Sequence, residues 1–556
     1  IGRAQRDPTG VAFGAGALLI LSLAVIWLGL GLTYLGLGVL AGIVVFPLWK
    51  FGYPDQARLT AGILGLTSAF LVLMQSAKGL LAASHPVLAI ARNMLIESVR
   101  MKISLLFIAA LILGMAALPG VLDDSSPLRY RVQSFLQYGT GGGFWIIAIL
   151  TLLFACASMA YEQREKVIWQ TMTKPVAPWQ YILGKWLGLF VLSGILLAVC
   201  SSSVFLFTEY LRGKTAIGES APFKPSDDRI ISEDRKILES QILASRVQVY
   251  PAPPEINAEL FRKNVQALIE DELRRNPDYK KDPTWENKVE LDLYKSEMEQ
   301  YRSVAPGESQ TYVFKGLEEA RTRALPIIFR YQIDSGSNRP DVIYRVGFSV
   351  GGAPTVQEVA LGVVSSIELL PAAVGDDGMV VVDLINGDPY TGVPNPATIS
   401  FNTKGLELSF SAGSYRWNYL RVMCVLWIKL GFLAMVAVWA GTFLSFPVAC
   451  LVSFGTFFAA EGATFLSKSL EYFATTDETG KINYVATVIH AISSVVANMF
   501  KIYSDMQPTQ RLVEGLRLPW SEVAIGSAVL IAATALLYAL AVFTLRRREL
   551  AVYSGQ

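Results

Sequence analysis

Apolar runs long enough to cross a membrane dominate this chain, and one long polar stretch interrupts them. A helix needs about 20 apolar residues to span a hydrocarbon layer of ~30 Å. Three such runs lead the sequence, near 10–32, 34–50 and 59–82, and the first two nearly touch at Gly31 and Thr33. Six more follow near 103–121, 142–161, 183–208, 423–444, 447–467 and 520–544. The pattern predicts a mainly α membrane protein, a polytopic helical bundle. Into it is inserted an α+β extracytoplasmic domain containing a β-sandwich. No fixed-period repeat is visible.

Two apolar segments depart from the spanning pattern. In PVLAIARNMLIESVR, residues 86–100, Val87, Ala91, Met94, Leu95 and Val99 recur at helical spacing while Arg92, Asn93, Glu97 and Arg100 lie off that stripe. This is an amphipathic helix, either lying on a membrane surface or leading into the next span. Residues 484–500, NYVATVIHAISSVVANM with its flanks, are short for a crossing. They read as an outer re-entrant or interfacial helix, the alternative being a tenth full span that would move the C-terminus outside.

The polar stretch is a domain in its own right. Of the chain's 46 acidic and 48 basic residues, 30 and 24 lie between 212 and 416. Its first part, 229–302, has helical periodicity: Phe261, Val265, Leu268 and Ile269 share one face, and Trp285, Val289 and Leu293 another. Its second part, 308–413, changes to β-rich runs separated by turn residues such as Asn386-Gly387-Asp388, which predicts an antiparallel sandwich. The organisation expected is 1–85 as leading spans, 86–211 as the amphipathic helix and three core spans, 212–416 as the inserted domain, and 417–556 as three further core spans.

Basic residues orient the helices. Arg92, Arg100 and Lys102, then Arg164, Lys166, Lys174 and Lys185, and finally Arg546, Arg547 and Arg548 fall on one side if the six core spans alternate. Short loops rich in Lys and Arg face the cytoplasm, so residues 212–416 are expected outside a plasma (inner) membrane. Three leading spans would put Ile1 outside as well, against the mild opposition of Arg3 and Arg6. A start at Ile1 rather than Met leads us to expect processing or a preceding segment. The run from Val11 is too long, and too closely followed by other spans, for a plain cleaved signal peptide.

Candidate chemistry is sparse. The net charge of +2 gives no basic surface for nucleic acid. Cys156, Cys200, Cys424 and Cys450 all lie in apolar segments, so the inserted domain has no disulfide framework or zinc site. His85 and His490, the two histidines, are far apart in sequence, which disfavours a histidine-based catalytic site. No nucleotide-binding loop is present: before Gly184-Lys185, Trp179 stands where the first glycine would be needed, and Trp186 follows where Ser or Thr would bind magnesium. We expect no catalytic residue, no metal and no cofactor in this chain, and a membrane-bound hydrolase finds no support.

Lys429 and Glu461 lie about equally far before and after the Ser445–Phe446 turn, some 16 residues, or ~24 Å at ~1.5 Å per residue. Intramembrane charges pair or line polar cavities. They are expected to pair near the outer leaflet or, alternatively, to reach the outer interface independently.

The loop YEQREKVIWQTMTKPVAPWQYILGKWLG, 161–188, opens with Glu162, Arg164, Glu165 and Lys166, runs through Val167, Ile168 and Met172, and breaks at Pro175 and Pro178. Its plain reading is a snorkelling loop between spans. It also resembles the first coupling helix of ABC-2 type transporter permeases at Glu162, Glu165, Pro175-Val176 and Gly184-Lys185. Similar features occur at Phe443-Leu444-Ser445-Phe446-Pro447-Val448-Ala449, and from Pro508 through Gly515 to Arg546-Arg547-Arg548-Glu549-Leu550. The resemblance covers about 86–210 and 418–550; the leading spans and the large insert depart from it. It implies a dimer or pseudo-dimer, with a second copy or a paralogue, in the lipid bilayer. A separate ATPase subunit would carry the ATP and magnesium. Glu162, Arg164, Glu165, Lys166, Ile168 and Pro175 would form the interface to it. The inserted domain would meet an extracytoplasmic protein, deliver cargo or gate exit. The competing expectation is a non-transporting scaffold that anchors an assembly through that domain.

Overall fold

A computed structural model describes residues 38–39, 42–123, 125–164, 176–219, 232–275, 285–336, 342–352, 354–470 and 483–553. The expected span at 10–32 and the start of the one at 34–50 lie outside them. Seven helices among the described residues are long and apolar enough to cross a membrane: Pro54–Leu80, Leu128–Glu162, Pro178–Arg212, Tyr415–Phe443, Phe446–Leu470, Tyr484–Val513 and Trp520–Arg547. A shorter apolar helix covers Leu106–Val121. This is the make-up of a multi-pass membrane protein.

Two of these helices correct the sequence reading. The span expected at 142–161 continues back to Leu128, because Gln137–Gly142 stays helical as a π-turn. Arg129, Arg131 and Gln133 dilute the apolar pattern there, and the glycine run resembles a break. The segment expected to be too short at 484–500 is a helix of 22 residues, Tyr484–Asp505, and a short helix at Pro508–Val513 follows it. The shortness argument for a re-entrant helix therefore fails.

The chain forms two compact units, one of Ile1–Ile230, Met423–Phe457 and Ser527–Gln556, the other of Ile231–Val422 and Phe458–Gly526. In the first, the amphipathic helix Pro86–Arg100 buries Val87, Ala91, Met94 and Leu95, the predicted stripe, with Ser98 in place of Val99. Further along Pro178–Arg212, Trp186, Phe190 and Trp427 stack with ring centroids 5.2 and 4.4 Å apart. Both indole N–H groups donate to backbone carbonyls, Trp186 to Gly431 and Trp427 to Phe190, each at 2.8 Å. Apolar helix faces gain little from hydrophobicity against lipid tails, so stacked rings and satisfied indoles carry more of the association.

The second unit contains the sandwich. Its strands are β1 (Ala244–Val249), β2 (Ser303–Val304), β3 (Ser309–Phe314), β4 (Ile327–Gln332), β5 (Asp334–Ser335) and β6 (Ile343–Ser349). After these come β7 (Thr355–Ala360), β8 (Val364–Leu369), β9 (Val380–Ile385), β10 (Ile399–Ser400) and β11 (Leu406–Ser414). One sheet has the order β1-β11-β4-β8, the facing sheet β3-β9-β6-β7, and a small third sheet β2-β10-β5. All named strand pairs are antiparallel. Alternate residues point inward, and the sheets interlock through rings: Phe314 with Phe329, and Phe348 with both Phe329 and Tyr331. The expected sandwich thus begins earlier than 308, since β1 lies inside the stretch read as helical. Its period-2 signal is present: Val247 and Val249 pack on the core while Arg246, Gln248 and Tyr250 alternate with them. The helices expected in that stretch are Ala258–Arg275 and Trp285–Tyr301.

The sandwich edge is completed by residues far along the chain. Arg246 N–H donates to Gly515 O at 2.9 Å, and Arg517 N–H donates to Arg246 O at 2.7 Å, a short parallel bridge. Asn418 then donates to Leu516 O at 2.8 Å and accepts from Leu518 N–H at 3.0 Å. Gly515 makes this possible: its φ is +67°, and a Cβ there would lie 2.0 Å from Gln241 O. Gly515→Ala is expected to destabilise this unit by about 2–3 kcal/mol and to deprotect the Arg246 amide in hydrogen exchange. Gly362→Asn, at φ +72° with open space around it, is expected to cost under about 1 kcal/mol, because asparagine tolerates the left-handed region.

Candidate functional site

A buried charge cluster joins the two helices that flank the loop singled out by the sequence. Glu162 lies in the last turn of the helix ending at Arg164, Lys185 lies early in the helix from Pro178, and Glu97 sits on the amphipathic helix. Lys185 is 3% exposed and lies 2.6 Å from Glu162 Oε1 and 3.3 Å from Glu97 Oε2. Its Nζ also donates to Ser158 Oγ at 2.8 Å, and Ser158 Oγ in turn lies 3.3 Å from Glu97 Oε2. The hydroxyl of Tyr181, one turn before Lys185, donates to the second oxygen of Glu162.

Close helix approach allows this geometry. Gly184 and Gly188 are one turn apart on the helix carrying Lys185. A Cβ on Gly184 would lie 2.7 Å from Ile90 Cβ, and one on Gly188 would lie 2.6 Å from Met94 Cβ. Small residues at this spacing let helix backbones meet. Lys185 is flanked by them in sequence, so its side chain reaches across the seam to Glu97. At the helix start, Pro178 occupies the first turn and Gln180 Oε1 accepts from Ala177 N–H at 2.9 Å.

An ammonium shut away from water is tolerated only with partners in good geometry. Here two carboxylates and a hydroxyl surround it, so the cluster holds one more carboxylate than ammonium. Glu97 Oε1 is buried without a hydrogen-bond partner among the described residues. A buried acceptor left this way costs about 1–3 kcal/mol. The cluster therefore ties three helices together with one carboxylate more than it has ammonium groups.

Of the residues expected to form a partner interface, the side chain of Glu162 alone is described. Its carboxylate is turned inward and engaged by Lys185 and Tyr181. The Arg164 side chain, Glu165, Lys166, Ile168 and Pro175 lie outside the described residues. The sequence reading counted Lys185 as an orienting charge and Glu97 as an off-stripe residue, and missed their pairing. The i, i+4 glycines flanking Lys185 were the available signal. Lys429 and Glu461 fall in different units. Lys429 is buried at 2% exposure, with its Nζ 5.6 Å from the centre of the Phe144 ring. Glu461 lies beside Tyr503, and its carbonyl accepts from Ser504 Oγ at 3.5 Å.

A second charged network lies on the outer face of the β1-β11-β4-β8 sheet. Glu407 is 3% exposed, accepts from Gln248 at 2.7 Å, and sits 3.2 Å from Arg330 and 3.7 Å from Arg246. Burial raises the Glu407 carboxyl above its ordinary range, against the pull of Arg330 and Arg246. Burial also lowers Arg246 to about 10, with Glu407 opposing. Among the described residues no group of three or more His, Cys, Asp or Glu side chains could hold a metal ion. No family model, curated protein or solved structure matches this chain.

Breaking the clamp has a defined expectation. Lys185→Met leaves two carboxylates facing each other and is expected to cost about 3–5 kcal/mol, read as a lower unfolding midpoint in detergent. Glu162→Gln keeps an acceptor for Tyr181 and is expected to cost clearly less. Equal midpoints for both variants and the parent chain would contradict the clamp.

Proposed function

We propose that the chain is the permease subunit of an ATP-driven exporter, working as a pair of permease subunits with a separate cytoplasmic ATPase that carries the ATP and magnesium. The observation that carries this reading is the Glu97–Lys185–Glu162 clamp. It ties the amphipathic helix, the helix before the loop and the helix after it into one piece at the loop's base. A push on such a loop moves three helical segments together, whereas a loop on loose ends would absorb it. The surplus carboxylate leaves room for a further cation, which a basic loop residue or a docking partner can supply.

In this reading the loop of 163–177 faces the cytoplasm and docks on the ATPase through Glu165, Lys166 and Ile168, while Glu162 acts from behind as a positioning residue. The inserted domain, residues 212–416, lies outside the plasma (inner) membrane. Its helix Ala258–Arg275 buries only Val265, so most of that surface is open to an extracytoplasmic protein. The resemblance of the loop and of the helix order to ABC-2 permeases supports the same assignment.

The test is co-purification with mass spectrometry from the native membrane, comparing the parent chain with Glu165→Lys plus Ile168→Asp. An ATPase with nucleotide-binding motifs is expected to accompany the parent and to be reduced at least tenfold by the double change, while the chain stays in the membrane. Recovery of stable partners without any ATPase would favour a membrane scaffold instead.

A further inference from the structure

The second unit has an open cleft of about 740 Å³ that the exporter reading does not use. Its floor is the outer face of the β1-β11-β4-β8 sheet at Arg246, Gln248 and Tyr250. Its other wall is the chain from Asp505 to Glu522, ending in the first turn of the helix that starts at Trp520. Both walls belong to one compact unit. The volume falls within the range of about 300–1,000 Å³ typical of small-ligand sites.

Its guanidinium groups are already partnered, while Lys404, exposed at the rim, acts on Glu407 only at longer range. Arg511 lies 2.7 Å from Glu522, Arg517 lies 2.9 Å from Glu319, and Arg246 is engaged by Glu407 and by the carbonyl of Glu514. The neutral groups are held as well: Tyr250 donates to Gln248 at 3.0 Å, and Gln510 to Glu514 at 2.9 Å. A phosphate or other polyanion would have to strip guanidinium groups from their carboxylates. A fatty chain would find apolar wall at Val247, Tyr250, Leu516, Pro519 and Trp520, but broken up by the charged pairs between them. A bound peptide would need pockets for alternate side chains, which this mixed lining of rings and paired charges does not offer.

A sugar hydroxyl suits such a lining. It donates and accepts at once, so it can bridge the two members of a pair such as Arg511–Glu522 without separating them. The rims add flat surfaces for the apolar face of a sugar ring: Trp520, 60% exposed, and Tyr250, half-buried. Trp520 is held in place by the Arg421 guanidinium 4.5 Å from its ring centre. The wall is also fixed at Gln507, which has φ +26° directly before Pro508. A non-glycine residue in that region is maintained only by the structure around it.

We infer that this cleft binds a neutral glycan, free or as the head of a glycoconjugate. The assignment stands apart from the exporter reading, since it concerns no residue of the loop or its clamp. The experiment uses the full chain in lipid nanodiscs, because sugar-based detergents would compete. Saturation-transfer NMR is run with neutral trisaccharides of glucose, of mannose and of N-acetylglucosamine, with inorganic phosphate, and with triglycine. At least one trisaccharide is expected to bind saturably with a Kd below about 1 mM. Gln510→Leu and Trp520→Ala are each expected to weaken it at least tenfold with the unfolding midpoint retained. If Trp520→Ala does not fold, Gln510→Leu decides. Silence from all three trisaccharides, unchanged binding in Gln510→Leu, or binding of only phosphate or triglycine would overturn the inference. The ATPase co-purification reads the exporter assignment independently.

Discussion

Burying the ammonium of Lys185 beside Gly184 and Gly188 is the constraint on which the first unit's organisation depends. An uncompensated charge in that place would cost several kcal/mol, so the residues around it have little freedom. Glu162 has to be where the incoming helix ends, Ser158 one turn earlier on the same helix, and Glu97 on the face of the amphipathic helix that meets the glycines. These requirements fix the rotation of three helices at once. Apolar packing alone would leave sliding and rotation inexpensive, particularly where lipid tails compete for the same surfaces. The stack of Trp186, Phe190 and Trp427 extends the same discipline along the helix, because each indole also satisfies a backbone carbonyl.

The sandwich unit applies related physics on the outer face of a sheet. Its core is apolar and aromatic, and a charged ladder of Arg246, Glu407 and Arg330 crosses the outer face of its first sheet. Glu407 and Arg246 are both held away from their ordinary proton affinities by burial, and each partly corrects the other. Under the neighbouring loop a second polar device works with neutral groups. Asn386, fully buried, donates to the carbonyls of Val304 and Ala397, and accepts from Asn395. Asp388 accepts from the Tyr390 and Thr391 amides, which hold its carboxyl below the usual carboxylate range. These bonds tie residues 386–397 to the rest of the fold.

The legible part of this protein was its period. Apolar length marked the membrane-length helices except the one from Tyr484, which it took as too short; helical spacing marked the stripe of Val87, Ala91, Met94 and Leu95, and β-rich runs marked the sandwich strands β4, β6, β9 and β11. Three further features escaped for physical reasons. The helix from Leu128 carries arginines and glycines that weaken a hydropathy window although the backbone stays helical. The strand Ala244–Val249 is one short run beside strongly helical neighbours, and its partner β11 lies far away in sequence. The clamp escaped because pairing between Glu97, Glu162 and Lys185 depends on how the helices rotate against each other. No spacing within a single segment reveals that rotation.

The bridge from Arg246 to Gly515 and Arg517 also bears on how the protein is made. Residues 244–249 are synthesised long before the segment that completes their exposed edge, with three membrane-length helices, Tyr415–Phe443, Phe446–Leu470 and Tyr484–Val513, still to come. Until then the edge carries Arg246 with its backbone N–H and carbonyl unmatched, and Asn418 lacks both of its backbone partners. The second unit is therefore finished from its far end, after translation has passed residue 518. A chain halted before residue 515 keeps that strand edge open, however complete the rest of its sandwich.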